Sequence, residues 1–161
     1  MKNILFLDDD LKRTEEFLNN FSNSNNVITT VENAEECINK LKDFKFDFIS
    51  LDHDLGGEIF VDSSRKDTGM EVVRFLNSNK TNQGLIIVHS YNPVASAGMF
   101  IELNSNGYEA FQIKFGSSEY FDKVSKILDG KIIRYKSNKT YFKKSTFSDK
   151  LKKYIKFIVK G

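Results

Sequence analysis

The chain has 161 residues, of which 40% are hydrophobic and 29% charged, with a single proline; that is room for one domain and excludes extended disorder. No apolar run approaches the roughly 18 residues of a membrane span. The start, MKNILFLDDD, meets acid too soon for a secretory signal, and the lone Cys37 cannot close an internal disulfide, so a cytoplasmic protein with no membrane partner is expected.

In chain order, Asn3–Leu7 (NILFL) is a continuous apolar run of strand length that stops at Asp8-Asp9-Asp10. A helix follows over Leu11–Phe21, with Thr14, Phe17, Leu18 and Phe21 on one face and Asp10 as its cap. Val27–Val31 (VITTV) is β-branched throughout and reads as a strand. Asn33 caps the next helix, with Glu36 three residues on, and Ala34, Cys37, Ile38, Leu41 and Phe44 line its apolar face. Phe48–Leu51 (FISL) is a third strand ending at Asp52-His53-Asp54, followed by a long loop, Leu55–Asp67, and a helix from about Thr68 to Ser78. Leu85–Val88 (LIIV) ends at His89-Ser90, and Asn92-Pro93 starts a helix that runs to about Asn104. Glu109–Ile113 is the fifth strand, ending at Lys114, and Ser118–Leu128 the fifth helix.

Five apolar strands alternating with five helices predict an α/β domain over 1–128, a doubly wound parallel sheet covered on both faces. Beyond it, residues 129–161 form a basic extension: Lys131–Tyr135 and Thr140–Lys144 can pair as a hairpin, and Leu151, Tyr154, Ile155, Ile158 and Val159 mark an amphipathic helix packed on the domain. The formal net charge of +2 is unevenly spread. Residues 129–161 hold eleven Lys/Arg against two acids, leaving 13 against 20 before them, about −7 for the body and +9 for the end. Such an end can contact nucleic acid, or dock as a solvated face on the acidic body.

Ligands of open parallel sheets bind beyond the carboxyl ends of the strands. The polar residues gather there: Asp8-Asp9-Asp10, Asp52-His53-Asp54, His89-Ser90 and Lys114. Both histidines of the chain, His53 and His89, are in that set.

Taken in order, Asp8-Asp9, Asp52, a hydroxyl-bearing fourth strand end, Lys114 and the Thr68–Arg74 segment (TGMEVVR) resemble the receiver domain of two-component signalling over residues 1–128. That resemblance implies a flavodoxin-like five-stranded sheet of order 2-1-3-4-5. It also implies Mg²⁺ on Asp8, Asp9 and Asp52, a phosphoryl group accepted by Asp52, and Lys114 against it. The departures are His53-Asp54 after the acceptor, the long loop, His89 at the place of the switch hydroxyl unless Ser90 takes it, and no proline after Lys114. The blocks Leu51-Asp52-His53-Asp54-Leu55 and His89-Ser90-Tyr91-Asn92-Pro93 are more similar to a divergent receiver group named for cyclic-phosphate processing. That likeness implies a phosphoesterase-like enzyme whose partner is a nucleotide or RNA bearing a cyclic phosphate.

The residues are compatible with that chemistry. Opening a cyclic phosphodiester needs a base for the nucleophile's proton and an acid for the departing oxygen, and two imidazoles can fill both roles near neutral pH. His53 and His89 are the expected catalytic pair, with Asp54 or Asp52 orienting one ring. Ser90, Asn92 and Lys114 are the expected substrate-binding groups, through the open helix start and a positive charge. Four aspartates around an anion site would repel by about 4 kcal/mol per close contact unless Mg²⁺, Lys114 or an imidazolium neutralises them. Strand alternation further says that Asp52 and His53 cannot both point inward unless the chain bends after Leu51. Arg65 and Lys66 either reach over the pocket or remain solvated. Two other readings stay open: a stand-alone receiver phosphorylated on Asp52, and a non-catalytic module that binds a nucleotide or partner.

Overall fold

The computed structural model describes residues 1–22 and 25–129; the predicted hairpin and terminal helix of the basic extension lie outside them. Ten elements alternate strictly: β1 (Asn3–Leu7), α1 (Leu11–Phe21), β2 (Val27–Val31), α2 (Ala34–Asp43), β3 (Phe48–Leu51), α3 (Gly69–Asn79), β4 (Leu85–Val88), α4 (Pro93–Ser105), β5 (Ala110–Gln112) and α5 (Ser118–Leu128). The strands are all parallel, in the order β2-β1-β3-β4-β5. This is the doubly wound, flavodoxin-like sheet that the alternating pattern and the receiver resemblance led to. Only the fifth strand is shorter than its apolar run.

Both faces of the sheet are covered, which is why the central strands carry no polar alternation. Leu5, Leu7, Ile49, Leu51, Ile86 and Val88 face α2, α3 and α4, where Cys37, Val72, Val73, Leu76, Met99 and Leu103 complete the layer. Ile4, Phe6, Phe48 and Ile87 face α1 and α5, against Phe17, Phe21, Tyr120, Val124 and Ile127. The second layer is markedly aromatic: Phe6 stacks on Phe17 at 4.3 Å between ring centroids.

Helix starts follow their caps. The Asp10 carboxylate accepts from the backbone N–H groups of Lys12 and Arg13. Asn33 Oδ1 accepts from Glu36 N–H, and the Glu36 carboxylate reaches back to the Glu32 N–H. Asn92 Oδ1 accepts from Ala95 N–H, with Pro93 opening the helix. The entry to α3 is tighter. Gly69 N–H donates to the His53 carbonyl at 3.0 Å, and a Cβ at Gly69 would fall far inside contact distance of the Asp52 carbonyl oxygen. Only glycine lets α3 begin against the end of β3, so the candidate site and this helix are braced together.

Candidate functional site

Register builds the first half of the site. Leu7 pairs with Leu51 and Leu51 with Val88, so the next residues, Asp8, Asp52 and His89, stand level across three adjacent strands. Their N–H groups extend the ladders, Asp52 N–H to Leu7 O and His89 N–H to Leu51 O. Asp8, Asp52 and His89 also share the parity of Phe6, Ser50 and Ile87, and thus the α1/α5 side of the sheet. One carboxylate oxygen of each aspartate and a ring nitrogen of His89 lie within 4.8 Å of one another, and all three residues are buried.

The charge of the two aspartates is met by Arg13, in the first turn of α1. Its Nη2 lies 2.8 Å from Asp8 Oδ1 and 2.9 Å from Asp52 Oδ2. Asp9 and Asp10 stand farther off, at 3.7 Å. Burial works to discharge the guanidinium, but the charges of Asp52, Asp8, Asp10 and Asp9 together outweigh it and push the Arg13 pKa up. Lys114 takes no part: it is exposed, and its ammonium rests 4.3 Å from the centre of the Tyr91 ring. Of the neutralising groups expected, Lys114 does not reach the aspartates, because it rests outward on an aromatic face, and Arg13 stands there instead.

His89 is wired into this arrangement. Its Nε2 lies 3.0 Å from Asp8 Oδ2 and its Nδ1 2.8 Å from Ser50 Oγ, which in turn lies 2.9 Å from the Tyr120 hydroxyl. A carboxylate only accepts, so Nε2 carries the proton; Nδ1 then accepts from Ser50, and Ser50 from Tyr120. Burial raises the Tyr120 pKa, which keeps that hydroxyl a donor. The imidazole lies parallel to Phe6, 5.0 Å between centroids, with Phe115 and Tyr120 on its other sides.

His53 belongs to the other side of the sheet. The chain keeps its alternation past Leu51: Asp52 turns toward Arg13 while His53 turns toward α3 and the long loop. Its Nδ1 lies 2.7 Å from Asp54 Oδ1 and its Nε2 2.9 Å from Ser63 Oγ. Asp54 is in turn held by the N–H groups of Phe60 (2.9 Å) and Val61 (3.1 Å) and by the Asn92 amide (3.2 Å). Partial burial would raise the Asp54 pKa, but these bonds, led by that to His53, bring it below the ordinary carboxylate value. The two histidines therefore have no partner in common. Convergence of both rings on one hollow is corrected, and the reason is the period-two geometry of the strand ends.

The remaining expected residues are accounted for as follows. Asp9 accepts from Gly57 N–H at 2.6 Å and ties the loop to β1; among the described residues the donor atoms that gather closely enough to share an ion are those of Asp8, Asp52 and His89. Ser90 Oγ accepts from Asn92 N–H, and Asn92 divides its amide between the cap of α4 and Asp54. Arg65 pairs with Glu58 and Asp67 within the loop. Asp52, 1% exposed, has Oδ1 on the His53 N–H and Oδ2 on Arg13.

Arg13, Ser50, Ser63 and Tyr120 were not singled out from sequence. Arg13 carried a usable signal, since it stands three and four residues after Asp10 and Asp9 on a helix. Ser63 lies ten residues from His53 in an irregular loop, where no periodicity speaks.

Comparison with known proteins agrees with this fold. Residues 3–105 match the family model described as "Cyclic-phosphate processing Receiver domain". A search of curated proteins gives no match. Among solved structures, the chain resembles the signal receiver domain of a Luxo repressor protein from Vibrio parahaemolyticus (17% identity, TM-score 0.60, 80% of this chain and 91% of that one). It also resembles the response regulator TrrA from Thermotoga maritima in complex with Mg²⁺ and BeF (24%, 0.58, 79% and 99%). A third likeness is to the non-phosphorylated HemR receiver domain from Leptospira biflexa (11%, 0.61, 91% and 100%). At these identities the structures speak for the fold. With the family model covering most of the described residues, the chain belongs to the cyclic-phosphate processing receiver family.

Proposed function

We propose that this domain is a phosphoesterase that opens cyclic phosphates of nucleotides or RNA ends by imidazole acid–base chemistry centred on His53. The observation that carries the reading is the His53–Asp54 pair. A carboxylate held by two backbone N–H groups and an amide favours the tautomer with its proton on Nδ1, which leaves Nε2 of the neutral ring as the acceptor. His89, packed among aromatic rings with its proton on Asp8, serves as a positioning residue for that carboxylate. Phosphoryl acceptance by Asp52 is the weaker reading. Both of its oxygens are engaged, and Lys114 is turned away from it.

The carboxylates of Asp8 and Asp52 fit Mg²⁺ or Mn²⁺ in kind, and His89 would join them through Nε2 only on giving up the proton it shares with Asp8. A bound ion would supply positive charge to a phosphate oxygen, and the same two aspartates now hold Arg13. The +9 charge of residues 129–161 supports a polyanionic substrate over a lone mononucleotide.

The test is turnover of 2′,3′- and 3′,5′-cyclic nucleotides and of RNA oligomers with a 2′,3′-cyclic end, with and without EDTA, followed by chromatography of the opened monophosphate. Wild type should turn over at least one of them, and His53→Gln should lose about 10²–10⁴-fold. No turnover of any cyclic phosphate, together with acetyl-phosphate labelling that Asp52→Asn abolishes, would favour the signalling reading instead.

A further inference from the structure

His53 is fully buried, and its Nε2 is hydrogen-bonded to Ser63 Oγ at 2.9 Å, whereas Ser63 is only partly buried. A water bound to substrate therefore does not meet the imidazole lone pair directly; the oxygen it would meet is that of Ser63. Nδ1–H donates to Asp54, so Nε2 is the acceptor and Ser63 O–H the donor. A hydroxyl within hydrogen-bond reach of an imidazole, whose other nitrogen is held by an anchored carboxylate, is the relation that activates a serine.

From this arrangement we infer that Ser63 is the nucleophile of the reaction and passes through a covalent phosphoseryl intermediate. The inference rests on the cyclic-phosphate reading for its substrate, and on Ser63, His53 and Asp54 for its chemistry. The loop is built to hold Ser63 in place. Arg74 of α3 donates to its carbonyl oxygen and to that of Arg65, and Ser64 N–H closes a turn on Asp62. On the other flank Phe60 sits at a φ of 56°, with its N–H on Asp54 and the residue 70% exposed. A non-glycine residue in that region is strained, and the bond to Asp54 holds it there.

The steps balance with one imidazole. Ser63 Oγ bonds to phosphorus as its proton passes to His53 Nε2. The ring oxygen on the opposite, solvent side leaves and takes a proton from water. The hydroxide so formed attacks phosphorus from that side, the Ser63 Oγ–phosphorus bond breaks, and His53 returns the proton to Oγ. The sum is one water added across the ring, giving a phosphomonoester and an unchanged enzyme.

A fluorophosphonate probe reads serine activation without any choice of substrate. Full-length protein should be labelled at Ser63, as located by peptide mass spectrometry. Labelling should be absent in Ser63→Ala, slowed about 10²-fold or more in Asp54→Asn, and unchanged in Ser64→Ala. Ser63→Ala should unfold within a few degrees of wild type and lose at least about 10²-fold in turnover, and acid quenching during turnover should trap nucleotide mass on the Ser63 peptide. Turnover by Ser63→Ala within threefold of wild type, with no labelling of the wild-type serine, overturns the inference and leaves the cyclic-phosphate reading intact. Ser63 labelling without turnover of any cyclic phosphate upholds the activated serine and overturns the substrate.

Discussion

Replacing Arg13 with methionine isolates the electrostatics of the site. Nη2 stands 2.8 and 2.9 Å from two carboxylate oxygens whose side chains are 0% and 2% exposed. At an effective dielectric of 20, each attraction is about 6 kcal/mol before the cost of desolvating the guanidinium. Methionine keeps most of the stem's packing and removes the charge. What remains is the mutual repulsion of Asp8 and Asp52, whose facing oxygens lie within 4.8 Å; that is about 3 kcal/mol or more at the same dielectric. A loss of about 3–5 kcal/mol, the range for breaking a buried pair from one side, is therefore expected in urea unfolding followed by circular dichroism. The same logic predicts how the loss is reversed. A divalent ion in R13M meets two carboxylates without their guanidinium, while in wild type it must first displace it. Saturating Mg²⁺ or Mn²⁺, at about 100 times its dissociation constant, should restore about 2.7 kcal/mol to the variant. Wild type should gain less at the same concentration. Equal stability of the two proteins in EDTA, or equal metal-induced shifts, would refute the assignment of Arg13 as the internal cation.

Three further outcomes follow from other parts of the molecule. Gly69→Ala should destabilise by about 1–3 kcal/mol and lower turnover as well, because its Cβ must push the Asp52 carbonyl and with it the backbone of Asp52 and His53; unfolding and kinetics on one preparation test this. Asp54→Asn should cost stability above the ordinary carboxylate pKa, since hydrogen bonds hold the folded carboxyl below that value. The gap from wild type should then close as pH falls through the folded pKa, which a urea series from pH 6 to about pH 2.5 would show. Cys37 is fully buried, and burial raises its thiol pKa, so its reaction with a disulfide reagent should be slow in the native protein and track the unfolding transition; rapid native labelling would contradict its place between α2 and the sheet.

Much of the architecture was legible because it depends on local patterns. The apolar runs NILFL, FISL and LIIV are short and end abruptly at polar residues, Asp8, Asp52 and His89, which marks strands buried on both faces and a polar carboxyl edge. Asp10, Asn33 and Asn92 announce their helices through side chains that bond within three residues. Strand alternation even warned that Asp52 and His53 would part, and they do. Once register was known, the same rule placed Asp8, Asp52 and His89 on one face.

What alternation within one strand cannot say is how far apart two side chains on different strands end up, or what reaches them from elsewhere. The two histidines part because strand pairing sets His89 level with Asp52, which leaves His53 one residue out of step and on the other face. The choice of Arg13 over Lys114 as counter-charge turns on where two long, flexible side chains come to rest, and Tyr91 decides it for the lysine. Ser63 meets His53 because a thirteen-residue loop, pinned by Asp9, Asp54 and Arg74, folds back over the end of β3. The sequence by itself thus determined which residues gather at the sheet's edge, since hydrophobic period and caps act over a few positions. Tertiary structure alone decided which of them touch, since contact across strands and loops is set by register, side-chain reach and the burial of charge.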